Sequence, residues 1–129
     1  RLPDSVKSRL TVENDDKASM YSVVDLYEGV YKVIGIPIVF DYHHHAFNTG
    51  GLSEEDALEV AISTWIDVVP VVHYSESRQR EQEDPKIRPQ AHSDYVYDYI
   101  DTYGNDVDIM IEAKHKELAV ERYKELHLC

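Results

Sequence analysis

The run Ile36-Pro-Ile-Val-Phe40 constrains the fold more than any other feature of this chain. It is short, continuous and apolar, with Gly35 before it and Asp41-Tyr-His-His-His45 after it. Such a run reads as a strand covered on both faces, the situation of a strand in a parallel sheet flanked by helices. Three further runs are read as strands: Ser8–Glu13, Val68–Val72 and Val107–Ile111. In Val68–Val72, Pro70 is awkward for a hydrogen-bonded ladder. Helical spacing separates them. Val23, Val24, Tyr27, Val30, Tyr31 and Ile34 recur at helical intervals over Met20–Ile34, and Gly35 closes the segment. Ser53 is placed to cap a helix whose first turn is acidic and whose stripe is Leu58, Ala61, Ile62 and Trp65. A short helix is expected over Tyr95–Tyr103, stopped by Gly104-Asn105, and a last one over Lys116–Leu128, burying Ala119, Tyr123 and Leu126. Strand then helix, four times over without a hairpin signal, predicts an α/β fold of βα units on a parallel sheet.

With 129 residues the chain has room for one modest core, so a single domain over residues 1–129 is expected. Its 25 acidic and 13 basic residues give a net charge of -12, with no large basic block. That balance speaks against non-specific binding to nucleic acid unless divalent cations neutralise some of the carboxylates. The single cysteine, Cys129, excludes an internal disulfide framework and fits a reducing, cytoplasmic setting. No apolar run is long enough to span a bilayer, so no membrane partner is expected. The opening Arg1-Leu-Pro-Asp-Ser reads as a loop cut from a longer protein.

Each expected strand ends in a side chain that can ligate a metal: Glu13, Asp41, His73 and Glu112. His44 and His92 stand in the intervening loops. One polar residue after a strand is ordinary; the same coincidence at all four strands is a pattern. In sheets of this kind the residues past the carboxyl ends of the strands line the functional crevice. Were the strands to curve into a barrel, those six nitrogen and oxygen donors would meet in one cup. A mixed donor set without thiolate suits manganese, magnesium or zinc and does not choose among them. No nucleophile-and-base pair of a serine or cysteine hydrolase and no glycine-rich phosphate loop is present.

The phrases Arg9-Leu-Thr-Val-Glu-Asn-Asp-Asp16, Phe40-Asp-Tyr-His-His-His45, Val72-His-Tyr-Ser-Glu76, Gln90-Ala-His-Ser-Asp94 and Ile109-Met-Ile-Glu-Ala-Lys114 resemble, in order, the second half of the UV damage endonuclease family. The resemblance covers essentially the whole chain. It implies four βα units forming the second half of a (β/α)8 TIM-type barrel. It also implies a cluster of divalent ions, with manganese the best candidate, and hydrolytic nicking of UV-damaged double-stranded DNA 5′ of photoproducts. By the same resemblance Glu13 matches a carboxylate bridging two ions and is the expected catalytic residue. Asp41, His73 and Glu112 match ligands of the central ions, and His44 and His92 ligands of an outer one. The missing first half of the barrel would be supplied by a partner segment or replaced by self-association, and this chain alone is expected to be inactive.

Other residues carry plainer expectations. His43 and His45 are read as supporting the loop or meeting solvent, and His115 and His127 as surface residues. The long polar segment Ser77–Ala91 holds Arg78, Arg80, Lys86 and Arg88 among acids. Arg78, Arg80 and Lys114 are the candidate contacts to DNA phosphate. The apolar face turned to the barrel interior is expected to include Leu10, Val12, Ile38, Phe40 and Val72. Two competing functions stand beside the nuclease: a metal-dependent sugar isomerase or epimerase on a related barrel, and a non-catalytic half-barrel.

Overall fold

The computed structural model describes residues 10–17 and 20–127. Strands β1 (Val12–Glu13), β2 (Ile38–Asp41), β3 (Val71–Tyr74) and β4 (Asp108–Ile111) form a sheet in the order β1-β2-β3-β4. Every neighbouring pair is parallel. Between β1 and β2 a single helical rod runs through α1 (Val23–Leu26), a π-helical turn (Tyr27–Tyr31) and α2 (Lys32–Ile34). Then come α3 (Tyr42–Phe47), α4 (Glu54–Ser63), α5 (Arg78–Gln82) and α6 (Glu117–His127). This is the expected series of four βα units, half the complement of a (β/α)8 barrel.

Local chemistry sets the boundaries. Ser22 and Asp25 cap α1 reciprocally, the Asp25 amide donating to Ser22 Oγ at 3.3 Å and the Ser22 amide to Asp25 Oδ2 at 3.0 Å. Gly35 ends the rod at φ 71°, where a residue without a Cβ meets no penalty. Ser53 caps α4 through the Asp56 amide at 3.1 Å. The far end of α4 then ties down the start of β2: Thr64 Oγ1 accepts the Ile38 amide at 2.8 Å, and Trp65 Nε1 donates to the Ile38 carbonyl at 2.8 Å.

All four residues of β2 are buried, as a strand covered on both faces requires. Its helix-facing residues Ile38 and Phe40 join Val72 of β3 in a core with Val23, Leu26, Leu58, Ala61, Val96 and Tyr123. Side chains alternate along a strand, so this parity corrects the expected interior face. Val12, Ile38, Phe40 and Val72 pack toward the helices, and Leu10 shares their parity. The opposite face carries Glu13, Val39, Asp41, Val71, His73, Asp108 and Met110.

Several expected boundaries move. Ser8 and Arg9 of the expected first strand lie outside the described residues, among which the first strand is Val12–Glu13. The third ladder begins after Pro70, at Val71, because proline has no amide to donate; Ile66, Val68 and Val69 before it are exposed. The polar segment after β3 contains α5. Tyr95–Tyr103 is not helical, because its amides are taken elsewhere. Glu81 accepts from the Tyr95 amide, Glu76 from those of Tyr97 and Asp98, and Tyr123 Oη from that of Ile100. In α6, Ala119 and Tyr123 are buried as expected, but Leu126 is 53% exposed. Leu128 and Cys129 lie outside the described residues. Among the described residues no helix is long and apolar enough to cross a membrane.

Candidate metal centre

The strand register places Asp41 of β2 directly beside His73 of β3, with Glu13 closing β1 and Glu112 one residue past β4. One ligand atom from each of Glu13, Asp41, His73 and Glu112 lies within 4.8 Å of the others. His73 Nδ1 sits 2.6 Å from Glu13 Oε2 and 3.2 Å from Glu112 Oε1. Three carboxylates and an imidazole thus converge at the carboxyl ends of four adjacent parallel strands.

Asp41 is the buried member, 1% exposed. Its Oδ1 accepts the His44 amide at 2.9 Å, so it caps α3 while its other oxygen remains in the cluster. Asn14, also 1% exposed, grips the Asp41 backbone on both sides. Its Nδ2 donates to the Asp41 carbonyl at 3.0 Å and its Oδ1 accepts the Asp41 amide at 2.8 Å. The Asn14 carbonyl takes a hydrogen bond from His44 Nδ1 at 2.7 Å. A carbonyl only accepts, so this bond fixes the proton on Nδ1 and leaves the Nε2 lone pair of His44 for another partner. Asn14 escaped the sequence reading. The one available signal was a polar residue directly after the strand-ending Glu13, a position that is usually solvated.

The charges in the cluster strain one another. Burial, and then the adjoining Glu13 carboxylate, push Asp41 up to about 7. Burial also works against charge on Glu13, but the His73 hydrogen bond and the neighbouring imidazoles outweigh it and hold its carboxyl below the usual range. The Glu13 hydrogen bond raises His73. For His44, burial opposes the charge and the Asp41 carboxylate overrides it, raising the imidazole. Carboxylates so close that one is driven toward its protonated form are a fit for a divalent cation, which would favour the ionised state of all of them.

The remaining candidates are dispersed. His44 adjoins the cluster, its Nδ1 3.4 Å from Asp41 Oδ2. His92 lies outside the four-residue group, against the buried His43 with ring centroids 5.7 Å apart. Burial lowers His43 and His45, consistent with neutral supporting residues. Arg78 is ion-paired with Asp94, and Arg80 reaches Asp98 at 2.8 Å and Glu76 at 3.7 Å. Lys114 follows the cluster by two residues and lines a cavity with Arg88, His92 and Lys116.

The family model described as UV-endonuclease UvdE matches residues 1–129. The chain belongs to the UvdE family. It is 37% identical to the UV DNA damage endonuclease of Bacillus pumilus, over 97% of this chain and 40% of that protein. It is 39% identical to the UV-damage endonuclease of Schizosaccharomyces pombe, over 93% of this chain and 20% of that protein. Among solved structures, the crystal structure of SacUVDE matches with a TM-score of 0.75 and 34% identity, covering 97% of this chain and 43% of that one. The chain therefore spans two fifths or less of the curated UvdE relatives named here.

Proposed function

We propose that this chain forms the second half of the barrel of a metal-dependent DNA repair endonuclease, a hydrolase that nicks DNA 5′ of ultraviolet photoproducts. The observation that carries the proposal is the convergence of Glu13, Asp41, His73 and Glu112 in a chain of the UvdE family. Residues 1–129 act as one domain in this reading, completed by the first half of the barrel.

Glu13, Asp41, His73 and Glu112 would hold central divalent ions and His44 and His92 an outer one, with manganese the best candidate from the family resemblance. When bound, such ions supply Lewis-acid stabilisation of phosphoryl charge and lower the pKa of water toward about 7. The chain's own residues supply order. Glu13 is placed to bridge because a carboxylate offers two oxygens. His73 orients it through the 2.6 Å hydrogen bond between Nδ1 and Oε2. Asp41 is fixed from three directions, by the β2–β3 ladder, the Asn14 clamp and its own capping bond to α3. Such rigidity is what positions reacting groups without cost at the moment of reaction.

The test is nicking of irradiated plasmid by the full-length protein carrying this chain, with and without chelator, and by its Glu13→Gln variant. Expected are loss of nicking on chelation, recovery with manganese, and no nicking by the variant despite an unchanged circular dichroism spectrum. An amide cannot bridge two cations with anionic oxygens. Near-normal nicking by Glu13→Gln under saturating manganese removes Glu13 from the bridging role, and nicking in excess chelator removes the metal reading.

A further inference from the structure

A cavity of about 380 Å³ is lined by Arg88, Gln90, His92, Ala113, Lys114 and Lys116 among others. Ala113 directly follows the cluster residue Glu112 in the chain, and His92 in the lining packs against His43, next to His44. Its two walls are the segment ending at His92 and the turn into α6. They are joined by backbone hydrogen bonds from Lys114 to the Ser93 carbonyl at 2.9 Å and from His115 to the Asp94 carbonyl at 3.1 Å. The first wall is itself tied to α5, where Gln79 Nε2 donates to the Ile87 carbonyl at 2.9 Å and the Arg78 amide to the Ala91 carbonyl at 2.8 Å.

The charge of this cavity runs against that of the chain. In a molecule of net charge -12, three cations line one hollow. Among the described residues, no carboxylate lies within 4.0 Å of the side-chain nitrogens of Arg88, Lys114 or Lys116. Arg78 and Arg80, by contrast, are spent on Asp94, Asp98 and Glu76. The amino end of the eleven-residue helix α6 begins directly after Lys116, and its dipole adds positive potential on the same side. Resting on the endonuclease reading above, we infer that this cavity seats a backbone phosphate of the DNA strand, next to the one presented to the metal centre. Arg88, Lys114 and Lys116 supply the countercharge. The α5 cations Arg78 and Arg80 serve the architecture of the segment after β3 instead.

Phosphate contacts fix register and orientation but carry no sequence information, and each releases counterion on binding. The experiment is fluorescence anisotropy of a labelled duplex, irradiated or not, with the full-length protein across a salt series. Arg88→Ala, Lys114→Ala and Lys116→Ala are compared singly and together, with Lys32→Ala as control because Lys32 is paired with Glu28 at 3.2 Å on the helical rod. Each cation that contacts phosphate should lower the slope of log affinity against log salt by about 0.9, equally for both duplexes, while the control leaves it unchanged. The same variants should raise KM for nicking more than they lower kcat. An unchanged slope in the triple variant overturns the inference, as does a loss confined to irradiated DNA. Absence of any duplex binding by the unsubstituted protein overturns the endonuclease reading and this site with it.

Discussion

Replacing Asn14 tests whether the metal centre is held from below by a side chain. The β1–β2 ladder ends at the Glu13–Val39 pair, two residues short of Asp41. Asn14 extends it with its amide group, meeting the Asp41 N–H at 2.8 Å and the Asp41 C=O at 3.0 Å. Asn14→Ala leaves both backbone groups without those partners at a residue 1% exposed. An orphaned buried group costs about 1–3 kcal/mol, so the pair predicts a loss of about 2–6 kcal/mol. Asn14→Asp keeps the acceptor for the Asp41 amide and loses the donor to its carbonyl. It also brings a further carboxylate toward three others, so at neutral pH it should cost at least as much as alanine. The assay is urea denaturation of the full-length protein, reading the midpoint at unchanged m, together with manganese affinity of the variants. A loss below about 0.5 kcal/mol for Asn14→Ala, inside the range of ordinary surface substitutions, would refute the clamp.

Glu76 and Glu81 organise the segment after β3, and two predictions concern them. Glu76→Gln keeps one acceptor oxygen for three donors, the amides of Tyr97 and Asp98 and the Tyr74 hydroxyl. It should cost about 1.5–3 kcal/mol and speed proteolysis within residues 93–103; unchanged stability and cleavage would count against it. Burial opposes charge on Glu81, yet the Tyr97 hydroxyl and the Asp94 and Tyr95 amides override it and hold its carboxyl down at about 2. A depressed carboxyl stabilises the fold above its unfolded value of 4.5 and loses that contribution as pH falls toward about 2. Glu81→Gln should therefore remove about 1–2 kcal/mol at pH 7 after allowance for solvent screening, and flatten stability between those pH values. Among the described residues Ile66, Val68 and Met110 are exposed, and β1 and β4 are the outer strands of the sheet. The isolated chain should self-associate, and a stable monomer in sedimentation at micromolar concentration would contradict this.

The parallel order and the positions of the strand-ending donors were legible because both follow from local pattern. A continuous apolar run such as Ile36–Phe40 can be satisfied only by cover on two sides, and β2 is buried at every residue. The polar residue that ends such a run has one place to go, the crevice at its carboxyl end. What stayed hidden depends on contacts remote in sequence. Tyr95–Tyr103 is bounded by Asp94 and Gly104 as a short helix would be, but Glu76, Glu81 and Tyr123 take its amides first, and nothing local announces those partners. The interior face was assigned to the wrong parity. Apolar residues occupy both faces of β2, and composition cannot say which set meets helices. Asn14 was invisible for the same reason: its worth lies in a strand 27 residues away.

The register shows why four donors from four strands can meet at all. Glu13 is level with Val39, two residues before Asp41; Asp41 is level with His73; His73 is level with Met110, two residues before Glu112. All share one parity, so all project from the same face. Across the sheet the donors also climb, by two residues from Glu13 to Asp41 and by two more from His73 to Glu112, about 13 Å of strand rise in all. In a flat, unstaggered sheet, β1 and β4 would run about 14 Å apart, and donors so displaced would not converge. They lie within 4.8 Å of one another. The sheet must therefore curl toward that face and tilt its strands against the axis of curling, the coupled stagger and tilt that close a barrel. The ligand spacing is thus a record of barrel curvature in a sheet of only four strands. It also explains why helices cover the Ile38–Phe40 side, the convex one, while the concave side presents the carboxylates and imidazoles of the cluster at its carboxyl end.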